Sequence, residues 1–129
     1  MIVVETSAVI AILLGEPERD AFLNILASDE LALPAICLLE ASASFRRKRH
    51  DPRMFDDFIA SFSPRILPFD ETQARIAVEA DRRYGRDSGH PARLNFGDCM
   101  SYAAAIALGA PLLFKGGDFA LTDVRRAAA

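Results

Sequence analysis

Four acidic residues in this chain are spaced so that a fold could gather them: Glu5, Glu40, Asp98 and Asp118. Glu5 follows the β-branched run Ile2-Val3-Val4, and Asp118 follows the apolar run Leu112-Leu113-Phe114 by way of Lys115-Gly116-Gly117. Glu40 interrupts an apolar stretch, Ala35 to Ala43, which predicts substantial burial, and no Lys or Arg lies between Pro34 and Phe45 to neutralise it. A buried carboxylate needs a partner. Clustered carboxylates repel one another until a cation offsets the repulsion. All-oxygen ligation selects a hard ion such as Mg²⁺ or Mn²⁺, and a metal so held can activate water against a phosphodiester. Each acid taken singly also has an ordinary reading, as a helix-start, loop or solvated helix residue.

The elements that must position these acids alternate. Ile2-Val3-Val4 reads as a strand, followed by a helix over Ala8 to Leu14 that Thr6 or Ser7 caps and Gly15 ends. Glu16-Pro17 opens a second helix, and Leu31-Ala32-Leu33 is a short strand. A helix from Pro34 to about Arg47 places Ile36, Leu39, Ala43 and Arg47 on one face, with Glu40 beside them. Asp51-Pro52 starts another, apolar at Phe55, Phe58, Ile59 and Phe62. A strand lies in Arg65 to Pro68, and Asp70 with Gln73 predicts a capping box for a helix from Glu71 to about Tyr84. Gly85 to Arg93 reads as an exposed loop. Asn95 caps a helix that carries Asp98 in its first turn and runs to Leu108. Such alternation predicts a parallel sheet with helices on both faces, whose ligands lie beyond the carboxyl ends of the strands, just after Val4 and just after Phe114.

The bulk properties bound the answer. A chain of 129 residues that is 51% apolar fits one domain, residues 1–129, with no linker or repeat. A net charge of -3 argues against binding nucleic acid by overall positive charge, so any such contact is local. Arg82, Arg83, Arg86 and Arg93 lead into the proposed site and are the candidate phosphate contacts, with Lys115 a further one. The run Arg46-Arg47-Lys48-Arg49-His50 reads equally as a solvated helix end. Few exposed aromatics are recognisable, so base stacking is not assigned. Cys37 and Cys99 sit in apolar stretches without C-x-x-C spacing and read as buried, reduced thiols. No segment reaches the length of a membrane span, and the predicted location is the cytoplasm.

In this order and with their neighbours, the motifs resemble the PIN-domain toxins called VapC. The resemblance runs nearly end to end: Ile2-Val3-Val4-Glu5-Thr6-Ser7-Ala8, Leu38-Leu39-Glu40-Ala41-Ser42, His90 to Cys99, and Leu112 to Phe119. It implies a PIN-like three-layer α/β/α domain around a central, mainly parallel sheet. It also implies a Mg²⁺- or Mn²⁺-dependent endoribonuclease toxin, partnered by a cognate VapB-like antitoxin and forming a homodimer. Glu5, Glu40 and Asp98 fall on the family's metal-binding acids, Ser7 on a small hydroxyl position beside them, and Asp118 on a weaker fourth. The sequence departs from the family twice. Gly117 replaces the first of two acids that often precede the phenylalanine, and Glu5 stands where the family ordinarily has aspartate. The added methylene shifts that carboxylate by ~1.5 Å. Glu5 therefore also keeps open a second reading, a catalytically weak PIN-fold module that binds antitoxin. A receiver-like phosphoacceptor domain is a third, disfavoured because no acidic pair follows the first strand.

Overall fold

Side-chain alternation along three short strands builds two cores. In β1 (Ile2–Val4), Ile2 and Val4 face one side and Val3 the other; in β2 (Leu31–Pro34), Leu31 and Leu33 oppose Ala32; in β4 (Leu112–Leu113), Leu113 opposes Leu112. With β3 (Arg65–Leu67) these strands form a wholly parallel sheet in the order β3-β2-β1-β4. This is a computed structural model, and it describes residues 1–127.

Helices cover both faces. Val9, Phe22, Phe45 and Phe55, from α1 (Thr6–Leu13), α2 (Arg19–Leu26), α3 (Ala35–Arg47) and α4 (Pro52–Phe62), pack on the side of Ile2, Leu33 and Leu113. Ala80, Tyr84, Cys99 and Tyr102, from α5 (Glu71–Tyr84) and α6 (Phe96–Leu108), pack on the side of Val3, Ala32 and Leu112. The three-layer α/β/α arrangement predicted above is the observed one. Beyond β4, Arg125 O and Ala127 N pair with Leu112, so the tail covers an edge that would otherwise present unpaired backbone. Among the described residues no helix is long and apolar enough to cross a membrane.

Several local expectations are corrected. The helix after Gly15 begins at Arg19, because Arg19 N–H closes a turn onto Glu16 O at 2.9 Å and leaves Pro17 outside it. The buried stripe of α3 is Cys37, Ala41 and Phe45, while Leu39 is 66% exposed; the sheet sits one position round from the face that periodicity selected. At α5 only half the capping box forms: Asp70 accepts from Gln73 N–H, but the Gln73 amide turns to Pro68 O. The loop from Gly85 to Arg93 is mostly exposed as read, pinned by Leu94 N–H to Tyr84 O at 2.9 Å. Both cysteines are free and buried.

Candidate active site at the carboxyl edge of the sheet

From β1 the chain first adds strands on one side, at β2 and β3, and then crosses to the other side at β4. Connections diverge between the carboxyl ends of β1 and β4, which is where doubly wound sheets bind ligands. Two hydrogen bonds tie this crevice together: Glu5 N–H to Leu113 O at 3.0 Å, and Lys115 N–H to Ser7 Oγ at 2.9 Å. Ser7 thus joins the start of α1 to the end of β4, a supporting role consistent with its place beside the acids.

Glu5 itself, rather than Thr6 or Ser7, caps α1. Its Oε2 accepts from Ser7 N–H at 2.8 Å and from the Ser7 hydroxyl. The carboxylate thus folds back over its own helix start, as the shorter Asp51 and Asp70 also do at α4 and α5. Only 5% of the residue is exposed. Desolvation pushes its pKa up from 4.5 to about 7; the Ser7 hydrogen bonds oppose the rise, and the charges of Asp98 and Glu40 add to it.

Glu40 reaches the same crevice from α3. Its Oε1 accepts from Thr6 Oγ1 at 3.0 Å, and its Oε2 lies where a Cβ on Gly97 would be only 2.4 Å away. The glycine lets the carboxylate seat directly on the first turn of α6. Glu40 is half-buried, not enclosed as the apolar stretch around it predicts, because the crevice opens beside it.

Asp98 completes a reciprocal capping box: its Oδ2 accepts from Asn95 N–H at 3.0 Å while Asn95 Oδ1 accepts from Asp98 N–H at 2.7 Å. Its pKa is raised, first by partial burial and then by the charge of Asp118, with Arg86 opposing. Asp118 is exposed at the start of the 3-10 turn Phe119–Leu121. All four acids predicted from the sequence therefore belong to one electrostatic neighbourhood. Among the described residues, no three Asp, Glu, His or Cys side chains share ready-made metal-cage geometry. The donors nevertheless suit a hard cation. They are all oxygen, and among the described residues no salt bridge neutralises Glu5, Glu40, Asp98 or Asp118. Mg²⁺ needs only one or two carboxylates, since it keeps several of its waters.

The basic candidates divide. Arg82 pairs with Glu79 at 2.8 Å, Arg83 with Asp123 at 3.4 Å, and the Lys115 ammonium with Glu16 and, at 3.2 Å, Glu18. Arg86 instead acts on Asp98, and Arg93 is exposed with φ 49°. Both histidines have structural partners, His50 stacking on Phe45 and His90 meeting Tyr84 edge-on. Sequence reasoning missed Thr6 and Gly97, which orient Glu40, and Phe96, which is 80% exposed at this rim.

A parallel α/β/α domain with acids at its switch point defines a class, and comparison with known proteins agrees. The PIN domain family profile matches residues 2–125. Ribonuclease VapC28 of Mycobacterium tuberculosis is 46% identical over 129 residues, covering 97% of this chain and 96% of that protein. Ribonuclease VapC42 of the same species is 40% identical over 128 residues, covering 97% and 98%. Among solved structures, the M. tuberculosis toxin VapC20, described as cleaving the sarcin-ricin loop, superposes with TM-score 0.79 at 18% identity over 100% of both chains. A toxin–antitoxin complex from Klebsiella pneumoniae gives TM-score 0.70 at 17% identity over 93% and 91%. The chain belongs to the PIN-domain family, among its VapC members.

Proposed function

We propose that this chain is the endoribonuclease toxin of a VapBC-type pair, hydrolysing RNA phosphodiester bonds with Mg²⁺ or Mn²⁺ held by Glu5, Glu40, Asp98 and Asp118. The observation that carries this reading is the convergence of Glu5, Glu40 and Asp98 at the switch point, with Glu5 buried and, among the described residues, no salt bridge to neutralise it. Relatives named ribonuclease at 40–46% identity support the activity. The toxin–antitoxin fold neighbour supports a VapB-like partner. A homodimer completes the proposed assembly.

The bound ion would supply charge stabilisation on the phosphoryl oxygens and a nucleophile at neutral pH. This chain's residues prepare the place for it. Ser7 holds the Glu5 carboxylate, Thr6 and the missing Cβ of Gly97 seat Glu40, and Asn95 fixes Asp98. Burial raises the Glu5 pKa to about 7, and a divalent cation held there would favour the ionised carboxylate by offsetting its desolvation. Arg86 and Arg93 meet the phosphates of the strand, while Arg82, Arg83 and Lys115 must first leave their own carboxylates. The hold of Ser7 on Glu5 favours one other reading, an antitoxin-binding module with little chemistry, because a carboxylate already engaged is harder to recruit to a metal.

Mn²⁺-dependent RNA cleavage by the native chain, Glu5→Asp and Asp98→Ala separates the two. The native chain should cleave, with Asp98→Ala lower by ~10²-fold or more. Equal background from all three would end the nuclease reading. Cleavage by Glu5→Asp alone would favour the binding module.

A further inference from the structure

Phe96 is the most exposed large apolar side chain of the protein, at 80%, although it belongs to the same turn of α6 as Asp98. Leaving a phenylalanine in water forgoes the stabilisation its burial would give. Three residues at this helix start have separate tasks: Asn95 caps, Gly97 makes room for Glu40, and Asp98 joins the acids, which leaves Phe96 directed outward beside them.

The side chain borders a cleft of about 450 Å³ that reaches from Phe96 and Gly97 to Glu40, and is therefore continuous with the acidic site. That volume lies within the usual range of small-ligand sites. Three carboxylates line it, those of Glu40, Asp81 and Asp87, against one guanidinium, Arg86. Among the described residues none of these four side chains is committed to a salt bridge. An excess of carboxylates repels a phosphate but accepts hydrogen bonds from a base edge that carries N–H donors, as acidic side chains do from the cytosine amino group. The phenyl face supplies the other half of such recognition, since single-stranded nucleic acids are bound by stacking bases on aromatic rings.

We propose that Phe96 is the stacking platform for an unpaired RNA nucleobase next to the scissile phosphate, and that the cleft beside it selects a base bearing an exocyclic amino group. This rests on the ribonuclease reading and names the substrate feature that the same site recognises: a single-stranded segment with adenine, cytosine or guanine at one position. The occupant is RNA rather than protein because the cleft joins the acidic rim through Glu40 and carries four charged side chains, Glu40, Asp81, Arg86 and Asp87, which a protein interface core largely excludes.

The test uses Phe96→Leu and Phe96→Trp. Leucine keeps the apolar bulk that a protein contact needs and loses the ring, whereas tryptophan keeps a stacking face. For Mn²⁺-dependent cleavage of a single-stranded RNA, Phe96→Leu should raise KM ~10-fold with kcat nearly unchanged, and Phe96→Trp should restore KM. In the Asp98→Ala background, an oligonucleotide carrying 2-aminopurine should lose fluorescence on binding when Phe96 is present and not when leucine replaces it. Oligo(U) should compete ~10-fold less well than oligo(A) or oligo(C).

Cleavage with KM unchanged in Phe96→Leu overturns the platform and leaves the nuclease reading standing. Unaltered KM in Phe96→Leu together with a changed hydrodynamic mass in Phe96→Ala, which removes the apolar bulk, assigns Phe96 to a protein contact instead. Phe96-dependent quenching without any cleavage by the native chain sustains the platform and ends the nuclease reading. No binding and no cleavage ends both. Equal competition by oligo(U) overturns the base selection.

Discussion

At the start of α1 the acid is Glu5, enclosed, folded back on Ser7 and pushed to about 7; at the start of α6 it is Asp98, half-buried, within reach of Arg86 and raised less. Both carboxylates accept backbone N–H groups at a helix N-terminus, a setting that by itself favours the anion. The local motif is nearly the same, so the surroundings make the difference. Glu5 is enclosed where β1 meets β4 and pays a desolvation cost that the Ser7 hydrogen bonds do not cancel, whereas Asp98 is only partly buried. The buried acid is the one with most to gain from a cation, and the open acid is the one able to share it with substrate.

The largest expected effect tests the desolvation of Glu5. Its carboxyl ionises near 4.5 when exposed and near 7 when folded, so between these values the folded state holds a proton that the unfolded chain has lost. The stability it contributes is complete below pH 4.5 and disappears as pH rises through 7. With chelator present, Glu5→Gln should therefore be nearly neutral at pH 4 and more stable than the native chain by about 3 kcal/mol at pH 8. Urea unfolding across that range reads the difference directly; parallel curves would mean that Glu5 is solvated like Asp98. Saturating Mn²⁺ at pH 8 should narrow the gap by binding the native chain more tightly.

Gly97→Ala probes the link between the two helix starts. A methyl group there meets Glu40 Oε2, the acid that Thr6 of α1 also holds. The Glu40 carboxylate must move, and cleavage should fall 10- to 100-fold. Stability should change by no more than about 1 kcal/mol, since alanine suits a helix better than glycine. Cleavage at the native rate would show that Glu40 is not part of the site.

The smallest effect concerns Lys115, the cation next to the buried acid in the fold but paired elsewhere. Its ion pair with Glu16 is about one-third exposed and so only weakly stabilising. Lys115→Met should lower unfolding stability only slightly, and leave the pH profile assigned to Glu5 unmoved. A shift in that profile would show that Lys115 already relieves Glu5.

Much of this was legible from residue order. The β-branched run before Glu5, the Asn95 cap before Asp98 and the strand before Lys115 are local patterns, and local hydrogen bonding enforces them wherever the chain goes. The sequence also placed Glu5, Asp98 and Asp118 at element ends, where a parallel sheet brings its loops to one rim, and Glu40 inside a helix that reaches the same rim. Other features depended on which neighbour arrived. Phe96 opens α6 at the rim of the sheet, where its ring stays 80% exposed because no element packs over that end of the helix among the described residues. Spacing likewise selects Leu39 for the core, but the sheet lies against Cys37, Ala41 and Phe45.

The character of Glu5 belongs to the second group. Its position and charge are set by the sequence, because an acid after the first strand is at the carboxyl edge of any such sheet. Its burial, its fold-back onto Ser7 and its raised pKa were decided only when β4 closed against β1, since desolvation is a property of everything packed around a carboxylate and no single stretch of chain encodes it.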